Sequence, residues 1–167
     1  MGVCYHYINY SKREYFAISA LGGADKFSGI GRTLAARAFE LMITKHNPET
    51  RTGRYAICGR WHGDQLGIDG DDFNPEWDMI LDEFRNIGPD LIMMLYEVDG
   101  FEPIADAATK DTFFFMQLCH LVLTNQTPRL ADEMQLFFGA RYPKKFAELC
   151  RESPWFVPKN LSISTNG

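Results

Sequence analysis

The side chains best able to do chemistry crowd into residues 54–78. Arg60, Trp61, His62 and Asp64 stand at one turn, and Asp69, Asp71 and Asp72 at the next. The first group could present a stacking ring, a proton-transfer group and a carboxylate at a hairpin tip, which makes Arg60, Trp61, His62 and Asp64 the candidate ligand-binding set. Neighbours on a strand face opposite ways, so Trp61 and His62 share a face only where the turn bends sharply. The plainer reading packs Trp61 inward and has Asp64 hold the turn. In the second group, Asp69, Asp71 and Asp72, with Asn74, Glu76 and Asp78 nearby, offer the oxygen ligands that hard cations take from a flexible loop. Their spacing fails the EF-hand pattern, because the loop glycine and the terminal glutamate are misplaced. The expectation is therefore no metal, with a cation on the three aspartates as the alternative. Aspartates in a turn also bond backbone amides ahead of a helix.

Other chemistry finds less support. Cys119 and His120 are helix neighbours about 100° apart, so they do not face each other as a nucleophilic pair would. Gly29-Ile30-Gly31-Arg32 lacks the third glycine of a phosphate loop. The four histidines are dispersed, and no CxxC or HxxxH pair anchors zinc. No cofactor is expected.

The elements that must position these groups follow from periodicity. Residues 3–10 alternate and are rich in aromatic and β-branched side chains, which predicts a strand. Ser11-Lys12-Arg13 is a polar turn, and residues 14–19 return as a second strand to complete a hairpin. Ser28 would cap a helix running to about Lys45, with Ile30, Leu34, Ala38, Leu41 and Met42 on one apolar face. Residues 54–60 read as a third strand and 65–68 as a fourth, joined by the turn His62-Gly63-Asp64. Asn74-Pro75-Glu76 is a strong helix start, and Gly88-Pro89 is expected to stop that helix. Residues 91–98 suit either a buried strand or a short helix capped by Asp90, with the helix favoured. Residues 113–123 are too apolar for a surface helix and predict a buried one that packs the C-terminal helices against the sheet. Phe114, Leu118 and Leu121 lie on one arc, and Phe115, Cys119 and Val122 on the adjoining one. Further helices are expected from Thr127-Pro128 to about Phe138 and from Tyr142-Pro143 to about Glu152.

Strands early and helices late make an α+β fold, with a small antiparallel sheet from the N-terminal half packed against a helical C-terminal half. Its 167 residues fit a single domain over 1–158 with a flexible tail, 159–167. Aromatics make up 14% of the chain, an excess that serves cores and binding surfaces alike. A net charge of −5 without a basic stripe argues against a nucleic-acid partner. No apolar run is long enough to span a bilayer. Four dispersed cysteines and an opening without a signal-peptide pattern point to a reducing, cytoplasmic setting.

The opening Met1-Gly2, then Tyr7-x-Asn9-x-Ser11-Lys12-Arg13-Glu14-Tyr15, resembles the start of a scattered group of small proteins. A second stretch, Arg60-Trp61-His62-Gly63-Asp64 followed by Gly70-Asp71-Asp72, resembles their Trp-x-Gly-Asp and Gly-Asp turns. The likeness covers about the first half of the chain and ends at Pro75. It implies a shared β-rich half and carries no catalytic residue, since the group has no assigned activity. With no nucleophile set, metal motif or phosphate loop, the leading expectation is a non-enzymatic protein-binding or assembly module. It would act through a protein partner or self-association, as an accessory, immunity-like or virus-encoded factor. The alternative is a small-ligand binder or enzyme with a site near Trp61–Asp64 and Asp69–Asp72.

Overall fold

The computed structural model describes residues 3–23, 26, 30–31, 33–45, 57–123 and 127–139, together with residues 142, 144, 145 and 148. Its architecture is α+β, a sheet from the N-terminal half followed by a run of helices. Strand β1 (Tyr5–Asn9) turns at residues 10–13 into β2 (Glu14–Ala17), and the two pair antiparallel as the alternation predicts. A 3-10 turn (Ser19–Leu21) leads away from β2. Strand β3 (Leu66–Gly70) lies antiparallel to β1 on its other side. A two-residue strand, β4 (Arg85–Asn86), runs parallel to β2, giving the order β3-β1-β2-β4. The sheet is therefore mixed, not antiparallel throughout. The parallel member forms because Phe84 leaves the preceding helix in an extended conformation, so that Arg85 and Ile87 donate to the carbonyls of Arg13 and Tyr15.

Helix α1 (Leu34–Ile43) begins later than its apolar period suggests. Thr33 is its cap, accepting from the Ala36 amide, while the expected cap Ser28 lies outside the described residues. Helix α2 (Trp77–Glu83) follows an Asn74 side chain that accepts from the Glu76 amide at 2.9 Å, so the predicted start holds to within a turn. Gly88-Pro89 does not stop α2, which has already ended at Glu83. It opens α3 (Gly88–Asp99), where a first-turn proline has no amide partner to lose. Asn86, in place of Asp90, satisfies that helix end by accepting from the Gly88 amide. Residues 91–98 are thus helical. Helix α4 (Glu102–Lys110) has no counterpart in the periodicity reading. Helices α5 (Thr112–Leu123) and α6 (Pro128–Phe138) stand where their patterns place them. Residues 142, 144, 145 and 148 are helical, and the rest of the expected last helix and the tail lie outside the described residues. No described helix is long and apolar enough to cross a membrane.

The chain divides into two compact units, Met1–Gln117 and Leu118–Gly167. In the first, both faces of the sheet are covered, which explains why β1 is buried from His6 to Asn9 without alternation. One face carries Tyr7, Asn9, Glu14 and Phe16, and the Tyr7 ring stacks on Phe39 of α1 at 4.7 Å. The other carries His6, Ile8 and Tyr15, which meet Trp77, Ile80 and Phe84 at α2. Helix α3 touches β2 and α1, and α4 touches α3 and α1. Phe114 is fully buried in this unit. In the second, Leu118, Cys119, Leu121 and Val122 of α5 and Leu130 and Met134 of α6 are buried.

Candidate functional site

Of the strand expected over 54–60, residues 54–56 lie outside the described residues, and 57–60 are not a strand but open a run of turns that reaches residue 64. The Arg60, His62 and Asp64 amides donate to the carbonyls of Ile57, Gly59 and Trp61. Gly59 and Gly63 take positive φ values of 69° and 80°, which a β-branched strand residue would not accept. The segment is held by the end of α1. The last carbonyls of a helix lack partners within it. Here the Gly59 amide donates to Leu41 at 2.8 Å and the Trp61 amide to Met42 at 3.0 Å.

That docking drives Trp61 into the sheet. Its ring is fully buried, 5.5 Å from Phe16 and 6.4 Å from Phe39. The indole N–H would be costly to bury alone. It donates to Glu14 Oε2 at 2.9 Å, and Arg60 donates to the same carboxylate through Nε at 3.0 Å and Nη2 at 2.6 Å. The Glu14 side chain is only 4% exposed, whereas that of Arg60 is 42% exposed. Burial pushes the Glu14 carboxyl up, but the bonds from Arg60 and Trp61 outweigh it and hold the pKa below the ordinary glutamate value. Arg60 is raised in turn, chiefly by its bonds to Glu14.

Asp64 closes the arrangement from the hairpin side. It accepts from Asn9 Nδ2 at 2.8 Å and pairs with Lys12, while Asn9 Oδ1 accepts from the Lys12 amide at 2.8 Å. Burial raises its pKa, and the bonds from Lys12 and Asn9 reverse the shift to a net lowering. Asn9 and Glu14 are cross-strand partners on one face, so a single patch of sheet anchors both turns. His62 is exposed and does not join the cluster.

The second turn lies across the sheet. Asp69 pairs with His6 in the β1–β3 register, on the face opposite Glu14. Its carboxylate accepts from Tyr10 Oη and, at 3.2 Å, from Asn74 Nδ2. Burial and the neighbouring carboxylate push Tyr10 up to about 12. Asp71 instead accepts from the Cys4 amide at 2.9 Å and returns its own amide to the Cys4 carbonyl, extending the strand pair by one step. Asp72 is exposed. Among the described residues, no three His, Cys, Asp or Glu side chains gather as a metal-ligand set.

The two turns singled out by the sequence are thus brought to opposite faces. Arg60, Trp61 and Asp64 are engaged in holding the fold together. Glu14, Asn9 and Tyr10 complete these clusters and are not evident from motif spacing, whereas Asn74 already stands beside the second group in the sequence. One local hint exists for Glu14, a carboxylate opening an otherwise apolar and aromatic strand. Of the described cysteines, Cys58 and Cys119 are buried, and burial lowers the pKa of His120. No family model, curated protein or solved structure matches the chain.

Proposed function

We propose that this chain is a protein-binding module whose contact surface is the outer corner of the sheet at β3. The carrying observation is exposed apolar surface at that corner. Ile68 is 38% exposed and Phe73 71% exposed, while Tyr7, Ile8, Tyr15 and Phe16 on the central strands are buried. Phe73 does not stray from the fold. Its ring lies 3.5 Å from where a side chain on Gly70 would begin, beside Val3 and Tyr5. Its backbone is fixed too, because the amides of Phe73 and Asn74 both donate to the Gly70 carbonyl. A phenylalanine held in place yet left in water suits a contact site, since a rigid aromatic loses little entropy when it is covered. Leu136 and Phe137 of α6 are exposed as well, but the chain beyond them lies largely outside the described residues.

Light scattering over a concentration series, together with capture of partners from a native lysate, tests this reading. Phe73→Ser is the matched control. A substitution at so exposed a side chain should change stability by no more than about 0.5 kcal/mol. The expected result is an association that Phe73→Ser weakens. A monomer that retains no partner refutes the reading, as does a partner held equally well by the variant.

A further inference from the structure

β3 is the outer strand of the sheet, and among the described residues no strand pairs with its far side. Asp71 donates to the Cys4 carbonyl and Tyr10 to that of Gln65, so residues 65, 67, 69 and 71 aim their backbone groups at β1. Alternation along an antiparallel pair then turns those of Leu66 and Ile68 outward. Among the described residues, the outward groups of neither meet a hydrogen-bond partner. The opposite edge differs. β4 is two residues long and carries Arg85, a short charged edge of the kind that discourages pairing. β3 has five residues with neither lysine nor proline, and Ile68 stands exposed at its centre.

The charge beside this edge is of one sign. Residues 61–84 contain no lysine or arginine, and Asp71, Asp72, Glu76 and Asp78 are all exposed. Among the described residues, neither Asp71 nor Asp72 forms an ion pair. Resting on the binding-module reading above, we infer that the partner supplies an extended, basic segment that adds to β3 as a further strand. Only an extended chain leaves N–H and C=O groups free to meet those of Leu66 and Ile68, because a helix has already used its own. Apolar side chains of the segment would cover Ile68 and Phe73, and its lysines or arginines would lie against Asp71 and Asp72. A second copy of this chain is a poorer occupant, since each copy carries a net charge of −5.

The test is fluorescence anisotropy of the full chain with capped peptides of roughly seven residues, a typical strand length. One peptide alternates lysine with valine, a second glutamate with valine, and a third is the lysine peptide with alternate backbone amides methylated. The lysine peptide is expected to bind, and added salt to weaken it. Methylation should abolish binding, because it removes the strand's donors without changing its charge. Ile68→Lys should block the edge, and Asp72→Asn should lower affinity for the lysine peptide by about fivefold, the effect of one rim charge. Equal binding of the acidic and basic peptides, or binding that survives methylation, overturns the inference. So does failure of every peptide to bind while a partner is still captured through Phe73. That last outcome leaves the binding-module reading standing, whereas loss of the Phe73-dependent contact removes both.

Discussion

Arg60→Met removes a guanidinium fork and keeps a straight apolar stem, so it isolates the contact with Glu14. The variant loses the bonds from Nε and Nη2, and only Trp61 Nε1 still donates to the carboxylate. A hydrogen bond to a charged group contributes about 1.5–3 kcal/mol, and stripping a buried ion of its partner costs about 3–5 kcal/mol. Glu14 is buried, but the Arg60 side chain is 42% exposed, so water screens the pair and can follow the departing guanidinium. The expected loss is therefore about 2–3 kcal/mol. Lys110→Met sets the baseline, because the Lys110–Asp106 pair has side chains 71% and 63% exposed. Such a helical pair contributes about 0.3–0.5 kcal/mol. Urea denaturation followed by tryptophan fluorescence reads both variants, provided the slope stays constant. Equal midpoint shifts would refute the reasoning, since Glu14 would then not depend on Arg60.

Acid titration checks the same contact by a separate route. The folded pKa of Glu14 is lowered, so its stabilisation is complete above the ordinary value of 4.5 and is lost as pH falls through the lower folded value. Arg60→Met lets burial push that pKa back up, so its stability should fall less steeply with acid than that of the parent. Asp64 is lowered as well, by Lys12 and Asn9 against the effect of burial, and it contributes to both slopes. The difference between the two proteins therefore belongs mainly to Glu14. Parallel curves would mean that Arg60 does not set its titration.

Phe114→Ala should cost about 3–5 kcal/mol by lost burial and a residual cavity, because Phe114 is fully buried. A urea-measured loss below about 0.5 kcal/mol would instead mark a surface position. Gly22→Ala meets two obstacles, a φ of 73° and a new Cβ 3.0 Å from that of Ala107 and 3.2 Å from the Phe114 ring. It should cost at least about 2 kcal/mol, strain and overpacking together. Gly63→Ala, at a φ of 80° with open space around it, should show only about 1 kcal/mol of strain. Equal thermal shifts for the two glycines would show that the Phe114 contact is not tight.

What could be seen in the sequence was whatever has a period. The β1–β2 hairpin declares itself by alternation, and α5 by an apolar arc too wide for a surface helix. Proline at residue 89 misleads because the same residue ends one helix and begins another, and only the position of the preceding helix end decides which. Helix α4 is missed because its buried face is Ile104, Ala105 and Ala108, too small to stand out against its polar side. Residues 54–60 look like a strand by composition. Yet Gly59 turns left-handed, and α1 needs the amides of Gly59 and Trp61 at its end more than a sheet does. The candidate site fails to declare itself for a related reason. Polarity belongs to one residue, but satisfaction belongs to a pair. Glu14 and Arg60 meet only after a hairpin, a helix and a run of turns have formed between them, and no local pattern spans that distance. Trp61, Arg60 and Asp64 therefore look like side chains waiting for a substrate until their partners are known. Once Glu14 and Asn9 are placed on the same face of the sheet, Trp61 and Asp64 are accounted for by the fold, and Arg60 by its bonds to Glu14. Among the described residues, Leu66 and Ile68 at the edge of β3 still turn backbone groups outward with no partner.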